Sequence, residues 1–116
     1  MVRCRQEVRS DRFDHKFGGD GFIVVDSLNT CDEELNNKGR VFGHTTLQPG
    51  SSIGYHVHNG ESEIYYIIKG RGEFNDNGKV VPIAAGDVTY TFSGMGHGLS
   101  NTGKDAMEII ALILYA

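Results

Sequence analysis

From Phe22 onward the chain is a series of short apolar, β-branched or aromatic runs separated by Gly, Asn and Pro. Such runs bounded by turn residues predict strands. Phe22 to Asp26 is the first. Arg40 to Leu47 follows and is stopped by Pro49-Gly50; Ile53 to His58 is stopped by Asn59-Gly60, and Glu63 to Lys69 by Gly70. Gly72 to Asn75 and Lys79 to Ile83 flank Asp76-Asn77-Gly78. Asn-Gly supplies the positive φ angles of a tight turn, so these two runs predict a hairpin. Asp87 to Phe92, His97 to Asn101 and Ala106 to Tyr115 complete the series. Short strands at this even pace favour a sandwich or barrel. Residues 1–20 are polar and predict an arm, leaving 21–116 as one barrel domain. Between Asn29 and Gly39 lies a polar loop, in which Thr30 and Glu33 have the spacing of a capping box around one helical turn.

The last run departs from simple alternation. Met107, Ile109, Ala111 and Ile113 fall on one face, and Ile110, Leu112 and Leu114 on the other. A strand with one solvated face alternates apolar and polar. Apolar residues on both faces imply a cover over the outer one, either the arm or a second copy of the chain. A homodimer is the expected arrangement.

A chain of 116 residues suits one domain and sustains a core without disulfides. Its two cysteines, Cys4 and Cys31, form no C-x-x-C pair and read as free thiols of a reducing compartment. The formal net charge of −4 opposes nucleic-acid or anionic-membrane binding, which needs a basic surface. The basic residues of the arm are interrupted by Glu7, Asp11 and Asp14 and read as a solvated segment. With no apolar leader and no membrane-length apolar window, the expected location is the cytoplasm.

Histidines at i and i+2 on a strand project to one side of the sheet, so His56 and His58 project together. If Asn59 to Ser62 close a hairpin, His58 and Glu63 are cross-strand partners on one face, and Tyr65 falls opposite His56. Glu61 then sits in the loop. Three converging imidazole and carboxylate groups suit a first-row divalent metal, whose charge removes the cost of confining them. Spacing alone leaves the alternative open, because an H-x-H pair also occurs as surface decoration.

The rest of the pattern resembles the cupin family. Its first motif, G-x5-H-x-H-x3,4-E-x6-G, is matched by Gly50, His56, His58, Glu63 and Gly70 at every fixed position. Its second, G-x5-P-x-G-x2-H-x3-N, is matched by Gly86, Gly94, His97 and Asn101, with Phe92 in the place of the Pro. The resemblance implies an all-β, double-stranded β-helix, a jelly-roll-like barrel. It implies a metal on His56, His58, Glu63 and His97. That donor set admits manganese, iron, nickel, zinc or copper. It would leave open coordination positions, as catalytic sites do.

The chain looks most like the small single-domain cupins grouped with oxalate-decarboxylase-like proteins. Bicupin oxalate decarboxylases carry an Arg shortly before their H-x-H, whereas Ser51 to Tyr55 has none. The resemblance therefore points to a metalloenzyme for a small oxygen-rich substrate, a carboxylate, keto acid or sugar acid, with Tyr65 as the acid/base candidate. The alternative is a cupin that holds such a ligand without turning it over.

Overall fold

The computed structural model describes residues 1–116 and contains ten strands in two facing antiparallel sheets. The strands are β1 (Arg9–Asp14), β2 (Phe22–Ser27), β3 (Gly39–Leu47), β4 (Ser52–Val57), β5 (Glu61–Lys69), β6 (Arg71–Asp76), β7 (Lys79–Ala84), β8 (Val88–Thr91), β9 (Gly96–Ser100) and β10 (Met107–Tyr115). The larger sheet runs β1-β2-β3-β10-β5-β8 and the smaller β4-β9-β6-β7. This is the all-β, double-stranded β-helix that the motifs imply. No helix is long and apolar enough to cross a membrane.

Local chemistry accounts for several boundaries. Asn77 and Gly78 both take positive φ, 51° and 100°, closing the β6–β7 hairpin with Asp76 paired to Lys79. That is the two-residue turn Asn-Gly favours. The expected capping box is replaced by a different one-turn arrangement. A 3-10 turn spans Asp32–Leu35, and Thr30 binds Glu34 through both its backbone N–H and its hydroxyl, at 3.0 and 2.9 Å.

The polar arm needs correction. Arg9–Asp14 is a strand paired in register with β2, from Arg9 opposite Ser27 to Asp14 opposite Phe22. A strand with one wet face and no neighbour beyond it carries polar residues at most positions, which hid it in the sequence.

The inner face of the larger sheet is a grid of cross-strand rows. Val41, Ile113, Glu63 and Thr91 form one row; Ser27, Gly43, Ala111, Tyr65 and Thr89 form the next; Val25, Thr45, Ile109 and Ile67 form the third. Ile23, Leu47 and Met107 close the far end. Together with Ile53, Phe74, Ile83 and Leu99 of the smaller sheet, the lower rows make the core. The core therefore fills one end of the barrel, and the polar inward residues occupy the other.

On the outer face, His44 sits between two carboxylates, with Nδ1 2.9 Å from Asp26 and Nε2 2.8 Å from Glu108. Both nitrogens can donate only if the ring is protonated. Burial opposes that charge, but the two carboxylates outweigh it and raise the His44 pKa above 6.5. Asp26, held by Ser10 and by His44, is lowered from 3.8. Asp26 thus contributes above its unfolded pKa, and His44 contributes fully below its own. The cluster is expected to stabilise most between about pH 4 and 6.5, by about 1 kcal/mol, and to fade as pH rises through the elevated His44 pKa. The check is urea unfolding of the wild type and His44→Gln across pH 4 to 9. The difference between them should shrink at the alkaline end.

Candidate metal centre

Residues from three strands and one turn meet between the sheets. His56 lies near the end of β4, His58 just beyond it, Glu63 on β5 and His97 on β9. Their donor atoms all lie within 4.8 Å of one another. His97 Nε2 is 3.1 Å from His58 Nε2, 3.2 Å from His56 Nε2 and 3.0 Å from Glu63 Oε1, and His58 Nε2 is also 3.0 Å from Glu63 Oε1. His58, Glu63 and His97 are buried, and His56 is partly exposed toward the cavity.

The route by which they meet differs from the expected hairpin. β4 pairs with β9, whereas β5 pairs with β10 and β8 in the other sheet. Asn59 and Gly60 therefore carry the chain from one sheet to the other. His58 and Glu63 face each other across the barrel and are not ladder partners. The direct partner of His56 is His97. A register irregularity between Ile53 and His56, at Gly54-Tyr55, lets both Ile53 and His56 face inward although three positions separate them. Tyr65 consequently does not pair with His56. It pairs with Ala111 and Thr89, and its ring stacks on His97 at 4.9 Å between centroids and 20° between planes. Phe74 meets His97 edge-on at 5.7 Å.

The partners of the other ring nitrogens are informative. His56 Nδ1 donates to the Gly54 carbonyl at 2.8 Å. His58 Nδ1 lies 2.7 Å from Glu61 Oε2, and Arg40 grips that carboxylate with two bonds of 2.8 Å. His97 Nδ1 lies 2.8 Å from the Thr91 hydroxyl. A carbonyl or carboxylate at Nδ1 fixes the proton there and leaves the Nε2 lone pair directed at the cluster. Lone pairs facing each other at about 3 Å repel unless a cation or a shared proton lies between them. Two donors at right angles, each about 2.1 Å from a common centre, are also about 3 Å apart. The donor set and its spacing therefore fit a divalent transition-metal ion.

Electrostatics support that fit. Burial would raise the Glu63 pKa, but the Nε2 groups of His58 and His97 hold it at about 2, a proton shared there taking the place a cation would occupy. Its hydrogen bond to Glu63 raises His58 despite burial, and burial lowers His56. The cluster thus offers an ionised carboxylate and competes with protons for its imidazoles. Tyr65 stays a phenol, its pKa raised by burial and by the adjacent Glu63 charge.

Sequence reasoning missed Glu61, Thr91 and Arg40 as supports of the ligands, and Phe17 as a wall. His44 lies on the outer face of β3 between two carboxylates, whereas Arg40, at the register shift between β3 and β10, stands at the cavity rim with its guanidinium held by Glu61. Phe17 stacks on His56 at 3.8 Å and 12°. Its turn sits directly on β4, where a Cβ on Gly54 would fall 1.9 Å from the Phe17 carbonyl oxygen. No spacing rule links a polar arm to a histidine 39 residues later. Phe92, in the place of the motif's Pro, is exposed and stacked on Tyr90, and the turn to His97 closes through a Met95 N–H to Phe92 carbonyl bond of 3.0 Å.

Comparison with known proteins agrees with this geometry. A family model described as the Cupin domain matches residues 43–113. The oxalate-binding protein of Thermotoga maritima is 46% identical over 114 residues, covering 98% of this chain and 93% of that protein. The crystal structure of a predicted oxalate decarboxylase from the same organism superposes with a TM-score of 0.94 at 45% identity, covering both chains fully. The cupin domain of Schizosaccharomyces pombe Cnp3 has a TM-score of 0.72 at 15% identity over 81% of this chain and 65% of that one, a likeness of fold alone.

Glu61→Ala frees the His58 ring to rotate and leaves Arg40 without its partner. Removing such a support typically costs 10- to 100-fold in metal affinity. A loss in that range is expected from competition with a colorimetric chelator, with the far-ultraviolet circular dichroism unchanged.

Proposed function

The chain belongs to the cupin family, and from that membership we propose that His56, His58, Glu63 and His97 hold one divalent transition-metal ion at which a small chelating carboxylate binds. The observation that carries this reading is the meeting of three imidazole nitrogens and one carboxylate oxygen within 4.8 Å, His97 lying about 3 Å from each of the others, with the outward ring nitrogens occupied by Gly54, Glu61 and Thr91. A bound ion of this kind supplies Lewis acidity and open coordination positions.

The chain's own residues then define what such a ligand meets. A cavity of about 450 Å³ opens from the cluster to solvent. Phe17 and Tyr65 line it, one stacked on His56 and the other on His97. Tyr65 is the protic side chain beside Glu63, and as a phenol it can donate a hydrogen bond to a carboxylate oxygen. The name of the Thermotoga relative makes oxalate the first acid to test. Turnover is a second reading. Tyr65 favours it, as the one group besides the four proposed ligands placed to hand over a proton there.

Metal analysis of the purified protein is expected to find close to one ion per chain. His97→Ala should lose it. Calorimetry should show oxalate binding that disappears after dialysis against a chelator. Tyr65→Phe should keep the metal and weaken oxalate binding about fivefold to tenfold, the value of one hydrogen bond. Oxalate binding that survives complete removal of metal would falsify this reading.

The same proposal extends to assembly. Phe42, Leu112, Ile64 and Tyr90 form one row on the outer face of the larger sheet, and Ile110, Tyr66 and Val88 lie in the neighbouring row. Phe42, Tyr66, Val88 and Tyr90 are exposed. The N-terminal residues extend the sheet at its β2 edge, so the apolar face of β10 is left for a partner. A second copy of this chain, pairing the same face to itself, fits a two-fold dimer. Sedimentation should give twice the chain mass for the wild type. Paired Tyr66→Glu and Tyr90→Glu substitutions should give a monomer that still binds metal.

A further inference from the structure

The wall next to the cluster contains a gap. Glu63 lies in a row with Ile113 and Val41. The following row, beside Tyr65, is Ala111 paired with Gly43. The smallest possible side chains thus stand side by side between larger rows. Val41 and Ile113 lie on one side, and Val25 and Ile109 on the other. A Cβ on Gly43 would meet only ordinary contacts, 3.5 Å to the Asp26 carbonyl oxygen and 3.6 Å to Val25 Cγ1. The gap is therefore space, not a site of tight backbone approach, and all six residues line the cavity.

The charges of the cavity stand at its rim and are largely committed. Arg40 is held by Glu61, and Arg9 lies 2.8 Å from Asp11. Asp32 accepts the Tyr115 hydroxyl. Lys16 has no carboxylate partner, and its ammonium lies over the Phe13 and Phe17 rings at 4.3 and 5.1 Å. Arg9 stands in the same cross-strand row as Ser27 and Gly43, with its guanidinium turned to Asp11.

Size points the same way. At the volume of liquid water, about 30 Å³ per heavy atom, the six heavy atoms of oxalate take about 180 Å³. That is less than half of the 450 Å³ available. The remainder is walled near the cluster by aliphatic side chains with Ser27 and Thr45 among them and by polar groups toward the rim, and its volume lies within the range of pockets that take larger ligands.

Building on the function proposed above, we infer that the preferred ligand is a 2-hydroxy or 2-keto acid with an apolar substituent, branched or aromatic, seated in the hollow over Gly43 and Ala111. The acid end chelates at the cluster, and the substituent displaces water from Val25, Val41, Ile109 and Ile113. Gly43 and Ala111 are specificity-determining residues: their small size admits the substituent.

The test compares ligands that share one chelating head. Glycolate has no tail, 2-hydroxyisocaproate has a branched apolar one, and 2-hydroxyglutarate has a charged one; oxalate serves as the reference. Binding is measured by calorimetry on the metal-loaded wild type, Gly43→Val, Ala111→Leu and the milder Gly43→Ala, whose added methyl fits the space. In the wild type, 2-hydroxyisocaproate should bind at least about tenfold more tightly than glycolate, since each well-buried methylene is worth about that factor. It should also exceed 2-hydroxyglutarate. Gly43→Val and Ala111→Leu should abolish the preference while metal content and glycolate binding stay at wild-type levels, with Gly43→Ala falling between.

Equal affinity for glycolate and 2-hydroxyisocaproate in the wild type overturns the inference alone, as does stronger binding of 2-hydroxyglutarate, which would assign the cavity to Lys16. Should the larger variants misfold, the wild-type ranking and Gly43→Ala still decide it. Metal-loaded protein that binds none of the four acids overturns the function proposed above together with this inference.

Discussion

Three imidazoles and a carboxylate are confined within a few ångströms between two sheets, and the rest of the molecule is arranged around that concentration of polar groups. Burying such groups unpaired is costly. Each outward ring nitrogen is given a partner: a backbone carbonyl for His56, a carboxylate for His58 and a hydroxyl for His97. These partners orient the rings, and the carbonyl and the carboxylate also set the tautomers of His56 and His58, so that the inward nitrogens of the neutral rings converge as acceptors. Convergence of acceptors is unfavourable without a positive centre, and the cluster is in that sense built for a cation. Tyr65 and Phe74 fix the His97 ring from two sides, which joins the cluster to the apolar core below it.

How far the sequence foretold this can be judged residue by residue. Nine strands were legible, because short β-branched runs bounded by Gly, Asn and Pro have few other solutions. The Asn77-Gly78 turn was legible for the same local reason. β1 was not, because an edge strand with polar alternation has the composition of an arm. The convergence of His56, His58 and Glu63 was anticipated from the wrong geometry. A four-residue connection between two strand-like runs reads as a hairpin, yet here it crosses between sheets. Inward facing on both strands is common to the two arrangements, so the expectation of convergence survived the error. The expectation for Tyr65 did not survive in its cross-strand form, since that depended on the ladder itself. The irregularity at Gly54-Tyr55 and the packing of the Phe17 turn on Gly54 are tertiary facts with no periodic signal.

The two faces of the larger sheet follow different rules. Outside, the apolar side chains are large, among them Phe42, Tyr66, Tyr90 and Phe92. Bulk there adds contact area to any surface laid against it. Inside, tightly packed Leu47 and Met107 close one end, and the small Gly43 and Ala111 lie between the Val25–Ile109 row and the Val41–Ile113 row that carries Glu63. The same ladder therefore serves as core at one end and as cavity wall at the other, with Ile109 and Ala111 belonging to both. β10 contributes to both faces on alternate residues, and beyond Glu108 its sequence is accordingly apolar up to Tyr115.

A shared fold leaves the chemistry open, because cupin barrels with the same donor set can surround the ion with different walls. The ligand cluster can account for affinity toward any chelating acid, but not for a choice among them. Choice has to come from groups that touch the part of the ligand pointing away from the ion. In this chain the groups nearest the cluster are aliphatic side chains and aromatic rings with Ser27 and Thr45 among them, and the charged groups stand at the rim. An aliphatic wall discriminates weakly between homologues and strongly against charge, since a buried carboxylate without a partner is far costlier than a missing methylene. On the function proposed above, the wall more than the ligand set decides which acid is held, and Gly43 and Ala111 are its smallest residues.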